Sequence, residues 1–111
     1  MVNLRVGNIY SKASGAKQKE IFRVLASNSY LRIERIVSCG QKTPENTWLS
    51  EKYDEWVLVL KGAGKLSFKI KSRTVSLKEG DYVFIPANTP HRVEWTPPRR
   101  KTIWLAVCAK A

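Results

Sequence analysis

The chain contains a single histidine, His91, at the head of the alternating run His91-Arg92-Val93-Glu94-Trp95. With a period of two, His91 shares one face with Val93 and Trp95, and Arg92 and Glu94 share the charged face. A second run, Glu55-Trp56-Val57-Leu58-Val59-Leu60, puts Glu55 in register with Val57 and Val59. Both polar groups are therefore expected to point into one apolar interior. A buried carboxylate either takes up a proton or needs an imidazole, a metal or an ordered water beside it. Such a pair offers three kinds of chemistry: proton transfer, orientation of a small ligand, or metal coordination. The plainest alternative is a satisfied polar pair inside a filled core. Trp48, Tyr53 and Trp95 are the aromatic residues that could shape a pocket, with Trp95 on the same face as His91. Cys39 and Cys108 form no CxxC or other metal-ligand spacing and read first as small buried residues.

The elements that must position these groups are short strands. Ile21-Phe22-Arg23-Val24-Leu25 and Tyr30-Leu31-Arg32-Ile33-Glu34-Arg35-Ile36-Val37 flank a Ser/Asn turn and suggest a hairpin. After the Glu55 run and Gly62-Ala63-Gly64 comes Lys65-Leu66-Ser67-Phe68-Lys69-Ile70-Lys71, whose alternation predicts one strand with Leu66, Phe68 and Ile70 inward. Thr74–Leu77, Tyr82–Ile85, His91–Trp95 and Thr102–Cys108 complete the set, separated by Gly, Pro and Asp turns. Eight short strands with no helical period predict an all-β sandwich or barrel, with a jelly roll as the natural closure. Residues 1–19 are polar and basic and are expected to form a mobile arm, leaving residues 20–111 as one domain.

Length and composition narrow the classes. At 111 residues, with 43% hydrophobic and 26% charged, the chain suits one globular domain and not a disordered tail. No apolar run approaches the roughly 18 residues of a membrane-spanning helix. The opening Met1–Gly7 has no continuous hydrophobic region, so the expected location is cytoplasmic, with both cysteines reduced.

The stretch from Glu55 to Trp95 resembles the cupin family. The acidic ligand and glycine of its first motif fall on Glu55 and Gly62. In its second motif the glycine, proline and histidine fall on Gly80, Pro86 and His91, while Asn88 replaces a glycine and Trp95 an asparagine. Asn88 is the next-best residue for a left-handed turn. The resemblance implies a single cupin-type jelly-roll barrel and looks closest to small single-domain cupins, most of them without assigned function. It specifies no reaction, because cupins span many activities. The family's upstream His-x-His pair would fall on Leu49 and Glu51, or on Trp48 and Ser50, and neither pair holds histidine. A metal, whether Mn²⁺, Fe²⁺, Zn²⁺ or Ni²⁺, would thus rest on Glu51, Glu55 and His91, with Tyr53 or water completing the shell.

The expected function is binding of a small polar molecule in the barrel, with or without a weakly held divalent metal. Its alternative is a metal-free binding or sensing module without catalysis. A net charge of +11 raises a third reading, nucleic-acid binding through Lys61, Lys65, Lys69, Lys71, Arg73 and Lys78 or through Arg99-Arg100-Lys101. That reading is disfavoured, because aromatic residues do not interleave with these cations and the strand lysines face outward. Trp56, Leu58 and Leu60 lie opposite the Glu55 face and need a second layer, so a sheet-to-sheet homodimer is expected.

Overall fold

A computed structural model describes residues 3–110. It contains eight strands: β1 (Ile21–Ser27), β2 (Leu31–Ser38), β3 (Tyr53–Lys61), β4 (Ala63–Phe68), β5 (Arg73–Lys78), β6 (Tyr82–Ile85), β7 (His91–Trp95) and β8 (Thr102–Lys110). A single 3₁₀ turn spans Ile70–Ser72. The strands form two antiparallel sheets, ordered β1-β2-β8-β3-β6 and β5-β4-β7. The sheets face one another without joining at their edges, so the barrel expected from the sequence is an open sandwich. None of the described helices is long and apolar enough to cross a membrane.

Register explains how the interior is graded. On the inner face of the larger sheet, hydrogen-bonded neighbours line up as Arg32, Cys108, Glu55 and Ile85, then Glu34, Ala106, Val57 and Val83, then Ile36, Trp104 and Val59. The polar row lies at one end and the apolar row at the other, where Val59, Leu66, Leu77 and Trp104 close the core. One sheet thereby carries both a sealed core and a polar mouth.

The alternation of Lys65–Lys71 does not run its full length. β4 ends at Phe68 because Lys71 and Ser72 take φ of 62° and 46° to turn the chain into β5, leaving Ile70 exposed. Trp95 also leaves its expected face. Leu66 pairs with Val93 but Lys65 pairs with Trp95, so Glu94 is an extra residue that bulges β7. The bulge swings Trp95 outward, where its ring lies 5.4 Å from Lys65 Nζ. Arg92 is on the face read as solvated, yet it is 5% exposed. Its guanidinium donates to the carbonyls of Thr43 and Pro44, so the 42–50 loop covers it.

The outer face of the larger sheet is covered at one end by the chain's own beginning. Residues 9–16, assigned from the sequence to the arm, lie across Val37, Leu60 and Ile103 through buried Ala13 and Ala16. Arg35, 2% exposed, fixes this segment by donating to the carbonyls of Ile9, Ser11 and Lys12. Farther along the same face Trp56 and Tyr82 stack with centroids 5.5 Å apart, and Tyr82 and Phe84 stay largely exposed.

Candidate functional site

A cavity of about 510 Å³ opens at the polar end of the sandwich. That volume is in the range that holds a small molecule. Glu55 enters from β3 and His91 from β7, so the two sheets each bring one member of the pair. His91 Nε2 lies 3.7 Å from Glu55 Oε1, with the side chains 8% and 17% exposed. This is too long for a hydrogen bond. The other ring nitrogen, Nδ1, is 2.8 Å from the Thr89 carbonyl, which can accept only from an N–H. Nε2 of the neutral ring is consequently the lone-pair side, aimed at the carboxyl and into the cavity.

The loops that hold the pair follow from their sequence. Asn88 adopts φ of 62°, the left-handed turn its replacement of a glycine implied, and its N–H donates to the Glu51 carbonyl. Leu49 forms an isolated two-way bridge with His91, N–H to carbonyl at 2.7 and 2.9 Å. Of the two registers considered for the missing His pair, Leu49 and Glu51 line the cavity, whereas Trp48 and Ser50 do not. Tyr53 lines it as well; Trp48 instead borders a separate shallow groove beside Arg92 and Glu94. The pocket wall therefore has Tyr53 but neither Trp48 nor Trp95.

Burial raises the Glu55 pKa above the usual carboxylate range, and the nearby Glu51 and Glu34 add to this. His91 and the Cys108 thiol pull it back only in part. The folded state then binds the Glu55 proton more tightly than the unfolded chain does. Stability is fully present below the ordinary carboxylate pKa and falls as pH rises through the raised one. Glu55→Gln should therefore unfold at a higher urea concentration than wild type at pH 7.5. That gain should disappear at pH 4. Parallel urea titrations at the two pH values check the sign.

Cys108 sits beneath the pair, its Sγ 3.8 Å from Glu55 Oε2 and 3.7 Å from Arg32 Nη2. Burial, then the Glu55 charge, pushes its thiol pKa up to about 11, so it stays protonated and unreactive at neutral pH. Both cysteines are free. A thiol reagent at pH 7.5 should label partly exposed Cys39 in the folded protein and reach Cys108 only after denaturant is added, as mass spectrometry of the labelled peptides would show.

Several lining residues were not singled out from the sequence: Glu20, Phe22, Arg32, Glu34 and Lys42. The signal for two of these, Arg32 and Glu34, was present, since they alternate with Ile36 along β2. Apolar residues on both faces of that strand hid which side was inner. Arg32 donates to Tyr53 Oη at 3.3 Å and lies 5.4 Å over its ring.

The donors fit a metal poorly. Glu55 lies close to His91 and to the protonated Cys108 thiol, yet among the described residues no group of three or more His, Cys, Asp or Glu side chains could hold a metal ion. A catalytic zinc ordinarily takes three such ligands. Here the two positions that would supply them are Leu49 and Glu51, and Leu49 has no donor.

Comparisons with known proteins agree with the fold. A search of curated proteins finds no match. Among solved structures, a candidate mannose-6-phosphate isomerase from Ralstonia eutropha JMP134 is 34% identical, covers 97% of this chain and 100% of its own, and superposes with a TM-score of 0.92. A cupin superfamily protein from Desulfitobacterium hafniense DCB-2 is 16% identical, with 99% and 97% coverage and a TM-score of 0.77. A polyketide cyclase from Streptomyces resistomycificus is 21% identical, with 99% and 81% coverage and a TM-score of 0.75. These last two likenesses concern the fold alone. Residues 37–108 match the family model described as the cupin domain, and with this match over most of its length the chain belongs to the cupin family.

Proposed function

We propose that this cupin binds a small polar molecule in the cavity between its sheets, held by Glu55 and His91 without a resident metal. The observation that carries the reading is the 3.7 Å gap between His91 Nε2 and Glu55 Oε1. Two polar atoms on the wall of a cavity, too far apart to bond each other, can both reach one group seated beside them. A hydroxyl or ammonium there would give a proton to one and lie against the other. The raised Glu55 pKa suits that carboxyl to hold a proton beside the imidazole and pass it to a bound group. Trp48 and Trp95 have no part in this reading; Tyr53 forms one wall.

The test is a thermal-shift screen of small polar metabolites on chelator-treated protein, comparing wild type with His91→Ala. Stabilisation of wild type in chelator, lost in the variant, is the expected result. Stabilisation that appears only when a divalent ion is restored, in stoichiometric amount, would transfer the role to a metal.

The half-buried Trp56 and the exposed Tyr82 and Phe84 support the homodimer expected from the opposite face of β3. Light scattering at micromolar concentration should give twice the 12.7 kDa chain mass, and Phe84→Glu should lower it toward one chain. A wild-type monomer would remove the dimer from the account.

A further inference from the structure

The distribution of acidic residues is opposite to the charge of the chain. The protein has nine Asp and Glu against twenty Lys and Arg, yet four of the nine, Glu20, Glu34, Glu51 and Glu55, line the one cavity. The other five are engaged elsewhere by their own chain. Glu45 pairs with Lys42 and Glu94 with Arg92, while Asp54, Glu79 and Asp81 accept from the backbone N–H groups of Ala87, Gly62 and Lys78.

Inside the cavity the partners are looser. Glu34 is 3.9 Å from Arg32 Nε and Glu55 is 3.7 Å from His91, both beyond hydrogen-bond reach. Glu20 accepts from Ser38 Oγ at 2.8 Å. The cationic side is weak. Arg32 gives one terminal nitrogen to Tyr53 and Cys108 and keeps a buried Nε without a partner, and Lys42, half exposed at the rim, is 3.2 Å from Glu45. His91 is 6% exposed, and its Nε2, with no hydrogen-bond partner, points into the same space. An imidazole nitrogen without a hydrogen-bond partner beside loosely paired carboxylates leaves places for a ligand that brings donors.

We infer that the ligand is a small organic cation, one or two ammonium groups on a short polar skeleton, seated among Glu34, Glu51, Glu55 and His91. The ammonium supplies three N–H donors and a positive charge, matching carboxylates that lack full partners. A sugar phosphate, the substrate class named for the Ralstonia protein, would meet these carboxylates with like charge. The positive exterior solubilises the chain and does not describe the lumen. This inference rests on the proposed binding role of the cavity and sharpens its substrate class.

The experiment is isothermal titration, in chelator and 150 mM salt, with three hexose probes of graded charge: glucosamine, mannose and mannose 6-phosphate. A fourth probe, 1,4-diaminobutane, carries the charge on a different skeleton. Glucosamine and 1,4-diaminobutane should bind at least tenfold more tightly than mannose, and mannose 6-phosphate should give no saturable heat. Glu34→Gln and Glu51→Gln should each weaken the cations about tenfold, the scale of one charged hydrogen bond. Glu94→Gln, which makes the same charge change outside the cavity, should leave them unchanged.

If mannose or mannose 6-phosphate binds as tightly as the cations and loses that binding in His91→Ala, the cavity keeps its role and the cation is overturned. Cation binding indifferent to Glu34→Gln and Glu51→Gln overturns it as well. Failure of all four probes to bind counts against both the cation and the binding role.

Discussion

Gly62→Ala should leave little folded protein, whereas Gly80→Ala should fold and lose only about 1–2 kcal/mol. Both are motif glycines and both have positive φ, +85° and +88°. On conformation alone they should cost the same. Their surroundings differ. A Cβ at Gly80 would meet nothing within 4 Å. At Gly62 it would collide with the Lys101 carbonyl and stand 2.9 Å from Thr102 Cα and Oγ1, all on the chain entering β8. Backbone cannot rotate away as a side chain can. Relief would require β3 and β8 to separate at the point where Thr102 Oγ1 donates to the Ala63 carbonyl. The combined cost is on the order of 4 kcal/mol or more, a large part of the 5–15 kcal/mol that holds a typical domain. Soluble yield and urea midpoints for the two variants side by side check this. Equal midpoints would mean that the close approach at Gly62 is absent in solution.

Trp104→Ala should cost roughly 3–5 kcal/mol, near the top of the range for a single core truncation. Trp104 is 3% exposed and lies between Ile36 and Val59 at the apolar end of the inner face. Its ring packs on bare backbone at Gly64, where any Cβ would overlap it. Its indole N–H donates to Ser38 Oγ at 3.2 Å, and that hydroxyl in turn donates to Glu20 Oε2. Truncation would open a void too enclosed to collapse and would extend the cavity downward, since Trp104 forms part of its floor. Trp104→Phe should recover more than half of the loss, because most of the ring area returns without the N–H. Melting curves should show a drop of roughly 12 °C or more for the alanine variant. A drop below a few degrees would show that the core packs without this ring.

How far the sequence foretold this arrangement depends on what each residue's surroundings require. Eight strands and their order along the chain were legible because alternation and turn residues are local properties. The inward placement of Glu55 and His91 followed from the same alternation, since each shares a period-two face with valines. The open edges of the sandwich were not legible, because they depend on pairing between strands distant in sequence. Trp95 shows the limit well. One extra residue in β7, detectable only by its pairing with β4, moves the ring from the inner face to the outer. Arg35 shows another. A cation within an apolar strand reads as solvent-facing, but three carbonyls of the 9–12 segment accept from its terminal nitrogens at 2% exposure. Glu20, Glu34 and Glu51 could be read as residues but not as a group, because three separate segments bring them to the cavity. The net charge of +11 pointed away from such a cluster.

His91, as the only histidine, gives one imidazole signal and so reports on the cavity without assignment. The most direct measurement is long-range ¹H–¹⁵N correlation of that ring in tag-free, chelator-treated protein as 1,4-diaminobutane is added. The account predicts a saturable shift centred on Nε2, with Nδ1, bonded to the Thr89 carbonyl, moving far less. An imidazole spectrum unchanged to millimolar ligand, or one that responds only to a divalent metal, would contradict it.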